Sequence, residues 1–193
     1  MVIWLIGLSG TGKTTLAREV IKGVSKETRN TILIDGDMIR EIFGNDLGYS
    51  MEDRLLNAQR ICQLGKFLDD QGMNVVCAIL SIFPETREWN RKNIENYYEV
   101  FIDTHIEVLI QRDSKGIYGK YKRGEITEVA GMDIKFPIPN NADLVIENSK
   151  SKEELLSYAK PIIEKLLQSK RRVIHIQRLI ALRSHINIHT HLT

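Results

Sequence analysis

The chain has 193 residues, 42% hydrophobic and 27% charged, with a net charge of +2; this is one globular domain's worth of sequence, with no apolar run long enough for a membrane span. The charge is uneven: residues 169–193 carry Lys170, Arg171, Arg172, Arg178 and Arg183 and no acid. Residues 1–168 are therefore net negative, which excludes a basic nucleic-acid-binding domain.

The chain begins with an apolar, β-rich run, Val2-Ile3-Trp4-Leu5-Ile6, and no leader sequence is expected before it. The next eight residues, Gly7-Leu8-Ser9-Gly10-Thr11-Gly12-Lys13-Thr14, match the phosphate-loop pattern G-x-x-x-x-G-K-[ST] in full. Helical spacing of apolar residues follows from Thr15, so the motif has its required strand–turn–helix setting. Its glycines let backbone N–H groups curl around phosphate oxygens, and the helix N-terminus adds partial positive charge. Lys13 is placed to reach the β- and γ-phosphates of ATP, and the Thr14 hydroxyl to ligate Mg²⁺.

A second short strand, Thr31-Ile32-Leu33-Ile34, runs into Asp35-Gly36-Asp37. Carboxylates at a strand's carboxyl end lie where open α/β sheets bind ligands. One of them could hold a Mg²⁺-bound water and the other accept a proton from an attacking hydroxyl; equally, Asp-Gly-Asp is a turn whose aspartate caps the next helix. The spacing does not separate these readings. Ser50 and Asp53 form an expected capping box for a helix from about Met51 to Asp70. Its apolar face carries Leu55, Leu56, Ile61, Leu64, Phe67 and Leu68, and its polar face Asp53, Arg54, Asn57 and Arg60.

A fully apolar run, Asn74 to Leu80, predicts a central parallel strand ending at Ser81, and Pro84 opens a further helix. Cys62 and Cys77 sit in apolar contexts without metal-ligand spacing, as expected for buried thiols of a reducing, cytoplasmic compartment. A fourth strand spans Tyr98 to Asp103, and Asp103 or Thr104 is expected to cap a helix through Arg112. The polar, glycine-punctuated residues 113–141 predict an irregular lid. A fifth strand, Asp143 to Glu147, precedes a helix capped by Ser151 and running to about Gln168. The sum is an α/β fold, a doubly wound parallel sheet of the P-loop NTPase kind, as one domain over residues 1–168. Residues 169–193, with four of the five histidines, read as a basic tail, helical or disordered, without metal-ligand spacing.

These pieces resemble the adenylylsulfate kinase (APS kinase) family over about residues 2–168. The carrying segments are the phosphate loop with Thr15, Asp35-Gly36-Asp37 with Arg40, Asp46-Leu47-Gly48-Tyr49-Ser50, and Asp53-Arg54 with Asn57 and Arg60. Ser81, Val100 to Thr104, Gln111-Arg112-Asp113, Lys115-Gly116-Ile117-Tyr118 and Gly131-Met132-Asp133 extend it. The resemblance implies transfer of phosphate from MgATP to the 3′-hydroxyl of adenosine 5′-phosphosulfate. It implies ATP binding by Gly7, Leu8, Ser9, Gly10, Thr11, Gly12, Lys13, Thr14 and Thr15, with Arg112 near the base. Asp37 becomes the catalytic base, with Asp35 and Thr14 supporting Mg²⁺ and Asp35 bordering the acceptor. Arg40, Arg54, Asn57 and Lys115 become acceptor-binding, and Tyr49 and Phe136 a clamp on the acceptor base. Ser81 matches a position given as a phosphoserine intermediate in the family; in-line transfer needs no covalent step, so a hydrogen bond to the acceptor is the expectation here. The resemblance departs where the family usually has Asn in place of Met38, and Pro, Tyr or Phe, then Arg in place of Ile82-Phe83-Pro84. Both departures flank the acceptor, so a cytidine diphosphoramidate is the alternative acceptor. The implied partner is a small nucleotide, with no nucleic acid or membrane, and a homodimer is the assembly considered. A nucleotide-dependent switch and an inactive binding homologue are the alternatives outside catalysis.

Overall fold

The computed structural model describes residues 1–168, so the expectation for the basic tail at 169–193 lies outside the described residues. The elements run β1 (Val2–Ile6), α1 (Lys13–Val24), β2 (Thr31–Asp35), α2 (Gly36–Ile42), α3 (Met51–Asp70), β3 (Asn74–Ile79), α4 (Pro84–Asn93), β4 (Tyr97–Asp103), α5 (Ile106–Arg112), α6 (Ile117–Lys122), β5 (Leu144–Glu147) and α7 (Lys152–Ser157). All five strands are parallel, in the order β2-β3-β1-β4-β5. This is the doubly wound sheet expected.

The centre of the sheet is β1, all five residues buried. Side chains alternate along a strand, so Ile3 and Leu5 join one core, with Leu16, Val20, Val100, Ile102 and Ile162. Val2, Trp4 and Ile6 join the other, with Ile61, Cys62, Cys77 and Phe101. A strand covered on both faces must be apolar throughout, hence Val2-Ile3-Trp4-Leu5-Ile6. Both cysteines are free and buried, and burial pushes the Cys62 thiol up to about 12. Because every strand points the same way, Gly7, Asp35, Ser81 and Thr104 emerge at one edge.

Three local expectations differ. The N-cap of α5 is His105, with no side-chain cap bond; Thr104 is instead buried at the strand end. The segment 113–141 is not wholly irregular. It contains α6, whose first turn is anchored by Asp113, the acceptor for the Tyr118 and Gly119 N–H groups at 3.0 and 2.8 Å. The last helix is interrupted: α7 ends at Ser157 and residues 159–168 are helical again. Pro161 explains the break, since its ring clashes with a continuing helix and it cannot donate to the Ser157 carbonyl.

Candidate active site

The loop between β1 and α1 is shaped by glycine. Gly12, the N-cap of α1, has φ +88°, and a Cβ there would meet Leu155 Cδ2 at 2.4 Å; backbone conformation and space both demand glycine. The loop is held from two sides. Asn148, buried just beyond β5, donates through Nδ2 to the Thr11 carbonyl at 2.9 Å. Tyr118 of α6 donates its hydroxyl to the Ser9 carbonyl at 2.9 Å. Neither residue was singled out from the sequence as a loop support. Asn148 carries a signal in hindsight, because a polar residue directly after a buried strand emerges at the ligand edge of a parallel sheet.

Lys13 projects from the first turn of α1 and donates to the carbonyls of Gly7 and Leu8 at 2.8 and 2.7 Å. Burial, with the nearby charge of Lys115, pulls its pKa down to about 8, against the opposing pull of Asp35 and Asp37. The ammonium is charged below that pH and neutral above it. A polyphosphate binds the charged form better, so above pH 8 binding must take up a proton. ATP affinity is expected to hold steady up to about pH 8 and then to fall by up to about tenfold per pH unit, the limit for one linked proton. Calorimetric titration with ATP at pH 7, 8, 9 and 9.5 checks this; an affinity flat across that range contradicts it.

Thr14 and Asp35 lie side by side, the Thr14 hydroxyl donating to Asp35 Oδ2 at 2.7 Å. The other carboxylate oxygen, Oδ1, accepts from the Asp37 N–H at 3.0 Å and caps α2. The capping reading of Asp35 is thus fulfilled without removing it from the site. A hydroxyl beside a carboxylate is an oxygen-only donor pair that suits Mg²⁺, which takes its remaining ligands from phosphate and water. Among the described residues no cluster of three His, Cys, Asp or Glu forms a protein-only metal cage.

Asp37 sits one residue into α2 and is exposed. Lys115, at the loop before α6, donates to Asp37 Oδ2 at 2.7 Å, and this contact raises the Lys115 pKa. Beyond them, Arg40 of α2 and Arg54 of α3 converge on Tyr49, with their guanidinium carbons 4.8 and 5.6 Å from its ring centroid. Arg40 also donates to the carbonyls of Leu47 and Gly48, and Arg54 to those of Tyr49 and Glu128. Burial and then Arg40's charge pull the Arg54 pKa down. Among the described residues neither arginine has a carboxylate within ion-pair distance; two guanidiniums without an ion-pair partner line the cavity, where their charge favours an anion. Asn57, 5% exposed, presents a buried Oδ1 without a hydrogen-bond partner, an acceptor that costs free energy unless a ligand donor meets it.

Ser81 ends the β3 segment with φ +56°, a left-handed conformation unusual for serine. It is 4% exposed, and its Oγ accepts from Trp4 Nε1 at 3.2 Å. All these residues from Lys13 to Ser81 line one cavity of about 790 Å³, which also receives Ile79, Ile82, Phe83 and residues 127–130.

Of the expected site residues, Gly7, Leu8, Thr11, Phe136 and Arg112 are absent from that lining, and Leu8 and Thr11 line a smaller cavity instead. Phe136 does not face Tyr49. It stacks on Phe101, centroids 5.9 Å apart and 23° between planes, and lines the same smaller cavity, of about 280 Å³, behind the phosphate loop. Its ring gains apolar contact there that an exposed position beside Tyr49 does not provide. Arg112 is absent from the large cavity's lining; its guanidinium donates to the carbonyls of Asn148 and Lys150, at 3.2 and 3.4 Å, docking the loop after β5 next to Thr11. Arg60, on the polar face of α3, turns away to Asp46 at 2.8 and 3.0 Å.

The family model described as adenylylsulphate kinase matches residues 1–147. The chain is 42% identical over 165 residues to the cytidine diphosphoramidate kinase of Campylobacter jejuni, covering 86% of this chain and 95% of that protein. It is 37% identical over 165 residues to the adenylyl-sulfate kinase of Lactiplantibacillus plantarum, covering 82% and 80%. Among solved structures it resembles the Mycobacterium tuberculosis APS kinase in complex with AMPPNP and APS, with TM-score 0.78 and 33% identity over 86% of this chain and 96% of that one.

Proposed function

Since the chain belongs to the adenylylsulphate kinase family and is an ATP-dependent phosphotransferase, we propose that it uses MgATP to phosphorylate a ribose hydroxyl of a nucleotide bearing a second, anionic group. The observation that carries this reading is the convergence of Lys13, the Thr14–Asp35 pair, Asp37 and the Arg40–Arg54 anion site on one cavity. ATP lies with its phosphates in the Gly7–Thr14 loop. Lys13 leaves the loop carbonyls to neutralise charge on the β- and γ-phosphates as the bond to the leaving oxygen breaks. Thr14 and Asp35 would hold Mg²⁺, which when bound offsets phosphate charge. Asp37 accepts the proton of the acceptor hydroxyl as its oxygen attacks the γ-phosphorus, and ADP departs. Arg40, Arg54 and Lys115 bind the acceptor's anionic group, Asn57 Oδ1 accepts from a hydroxyl or amine, and Tyr49 offers a face to the base.

For the acceptor we place a cytidine diphosphoramidate ahead of adenosine 5′-phosphosulfate, which the resemblance in sequence had put first. The 42% identity to a kinase of that name supports this order. So does the local chemistry: the wall after Ser81 is Ile82 and Phe83 leading into Pro84, where the resemblance expects an arginine; Met38, in place of an asparagine, is exposed and outside the cavity's lining. Exchange of hydrogen-bonding groups for apolar ones moves specificity sharply. The kcat/KM for the cytidine compound is expected to exceed that for adenosine 5′-phosphosulfate by about a hundredfold, roughly 2.7 kcal/mol of transition-state binding. A preference for the adenosine compound reverses the order of the two acceptors.

A further inference from the structure

Behind the acceptor wall lies an arginine that the proposed mechanism does not use. Arg87, in α4, is only 7% exposed, and among the described residues no carboxylate lies within ion-pair distance of it. Its guanidinium is spent on two backbone carbonyls far apart in sequence: Nη1 donates to Ser81 at 2.8 Å and Nη2 to Pro137 at 3.4 Å. A buried, uncompensated charge is costly to keep, and a rigid fork of donors is what bridges two fixed acceptors.

Both ends of that bridge matter to the site. Ser81 is held in its left-handed conformation, a strain that the surroundings must over-determine. The holding contacts are Arg87 on its carbonyl and Trp4 on its hydroxyl. Ser81, Ile82 and Phe83 face the large cavity. Pro137 lies between Phe136 and Ile138, which line the smaller cavity at the return end of segment 113–141. We propose that Arg87 is a positioning residue for the acceptor: by gripping Ser81 and Pro137 together it fixes the wall at 81–83 and ties the returning lid segment to it. This rests on the reading of the large cavity as an acceptor site. Among the described residues Arg87 hydrogen-bonds neither the phosphate loop nor Lys13, so its direct effect falls on the acceptor wall.

The test pairs Arg87→Met with Arg87→Lys. With the nucleotide that the wild type phosphorylates, Arg87→Met is expected to raise the acceptor KM by about tenfold or more while the ATP KM moves by less than about twofold. Amide hydrogen exchange at residues 134–138, measured without any nucleotide, is expected to quicken. Arg87→Lys is expected to recover most of the acceptor KM by regaining the Ser81 contact, yet to leave exchange at 134–138 fast, because Ser81 and Pro137 are met by two separate nitrogens, Nη1 and Nη2, of a planar fork that lysine lacks. Acceptor and ATP KM rising together, or unchanged exchange at 134–138 in Arg87→Met, overturns the proposal. Should Arg87→Met not fold, exchange in Arg87→Lys decides: a rate equal to wild type overturns it. A wild type that phosphorylates neither nucleotide counts against the acceptor reading, and the exchange measurement still judges the tether.

Discussion

Lys13→Ala is expected to lower kcat by about two to three orders of magnitude, the scale of losing one well-placed electrostatic stabiliser. The side chain sits at the mouth of the phosphate loop on a first-turn helical position, and its half-buried ammonium is held only by carbonyls and the Thr11 hydroxyl. Among the described residues no carboxylate lies within ion-pair distance of it, so it is available to follow negative charge as that charge grows on the β,γ-bridging oxygen. Most of its effect belongs to the transition state, and the ATP KM is expected to change less than kcat. Steady-state kinetics at saturating acceptor checks this at pH 7, where Lys13 is charged. A loss of tenfold or less contradicts the assignment.

Asp37→Asn is expected to lower acceptor-dependent turnover by about two to four orders of magnitude, the range for a general base, while ATP binding survives. Asparagine keeps the shape, and its carbonyl oxygen still accepts from Lys115 where Asp37 Oδ2 does at 2.7 Å. What it lacks is the ability to take a proton. The separation from Asp35 is structural: Asp35 is already committed to the Thr14 hydroxyl and to the cap of α2, whereas Asp37 is exposed to the cavity. Equilibrium titration with MgATP alongside turnover makes the distinction. Affinity for MgATP that falls in parallel with rate assigns Asp37 to the metal and the proton to Asp35.

The parts of the site that were legible in the sequence are those built from neighbours in the chain. A strand, eight loop residues and a helix start are enough to place Lys13 and Thr14, because the loop is shaped by the conformations of Gly10 and Gly12 themselves. Asp35 was legible as two things, a cap and a site residue, and it is both at once, one oxygen to each duty. The parts that were not legible depend on packing between distant segments. Phe136 follows a polar run and carries no local mark of where its ring goes; the face of Phe101 across the sheet edge decides it. Arg87 falls in the first turns of a helix of polar composition and carries no local mark of burial, yet it is buried because Ser81 and Pro137 come together only in the folded chain. The interruption at Tyr158 was marked by Pro161, a signal that the capping box at Ser151 obscured.

The central claim is that one cavity brings ATP's γ-phosphate to a nucleotide hydroxyl beside Asp37. The direct test is to supply ATP labelled at the γ-phosphate, with Mg²⁺, together with a cytidine diphosphoramidate or adenosine 5′-phosphosulfate, and to identify the labelled product. The account predicts label in a new phosphomonoester on the ribose of the acceptor, with little release of inorganic phosphate when no acceptor is present. Label appearing only as inorganic phosphate, at the same rate with and without either nucleotide, would contradict it.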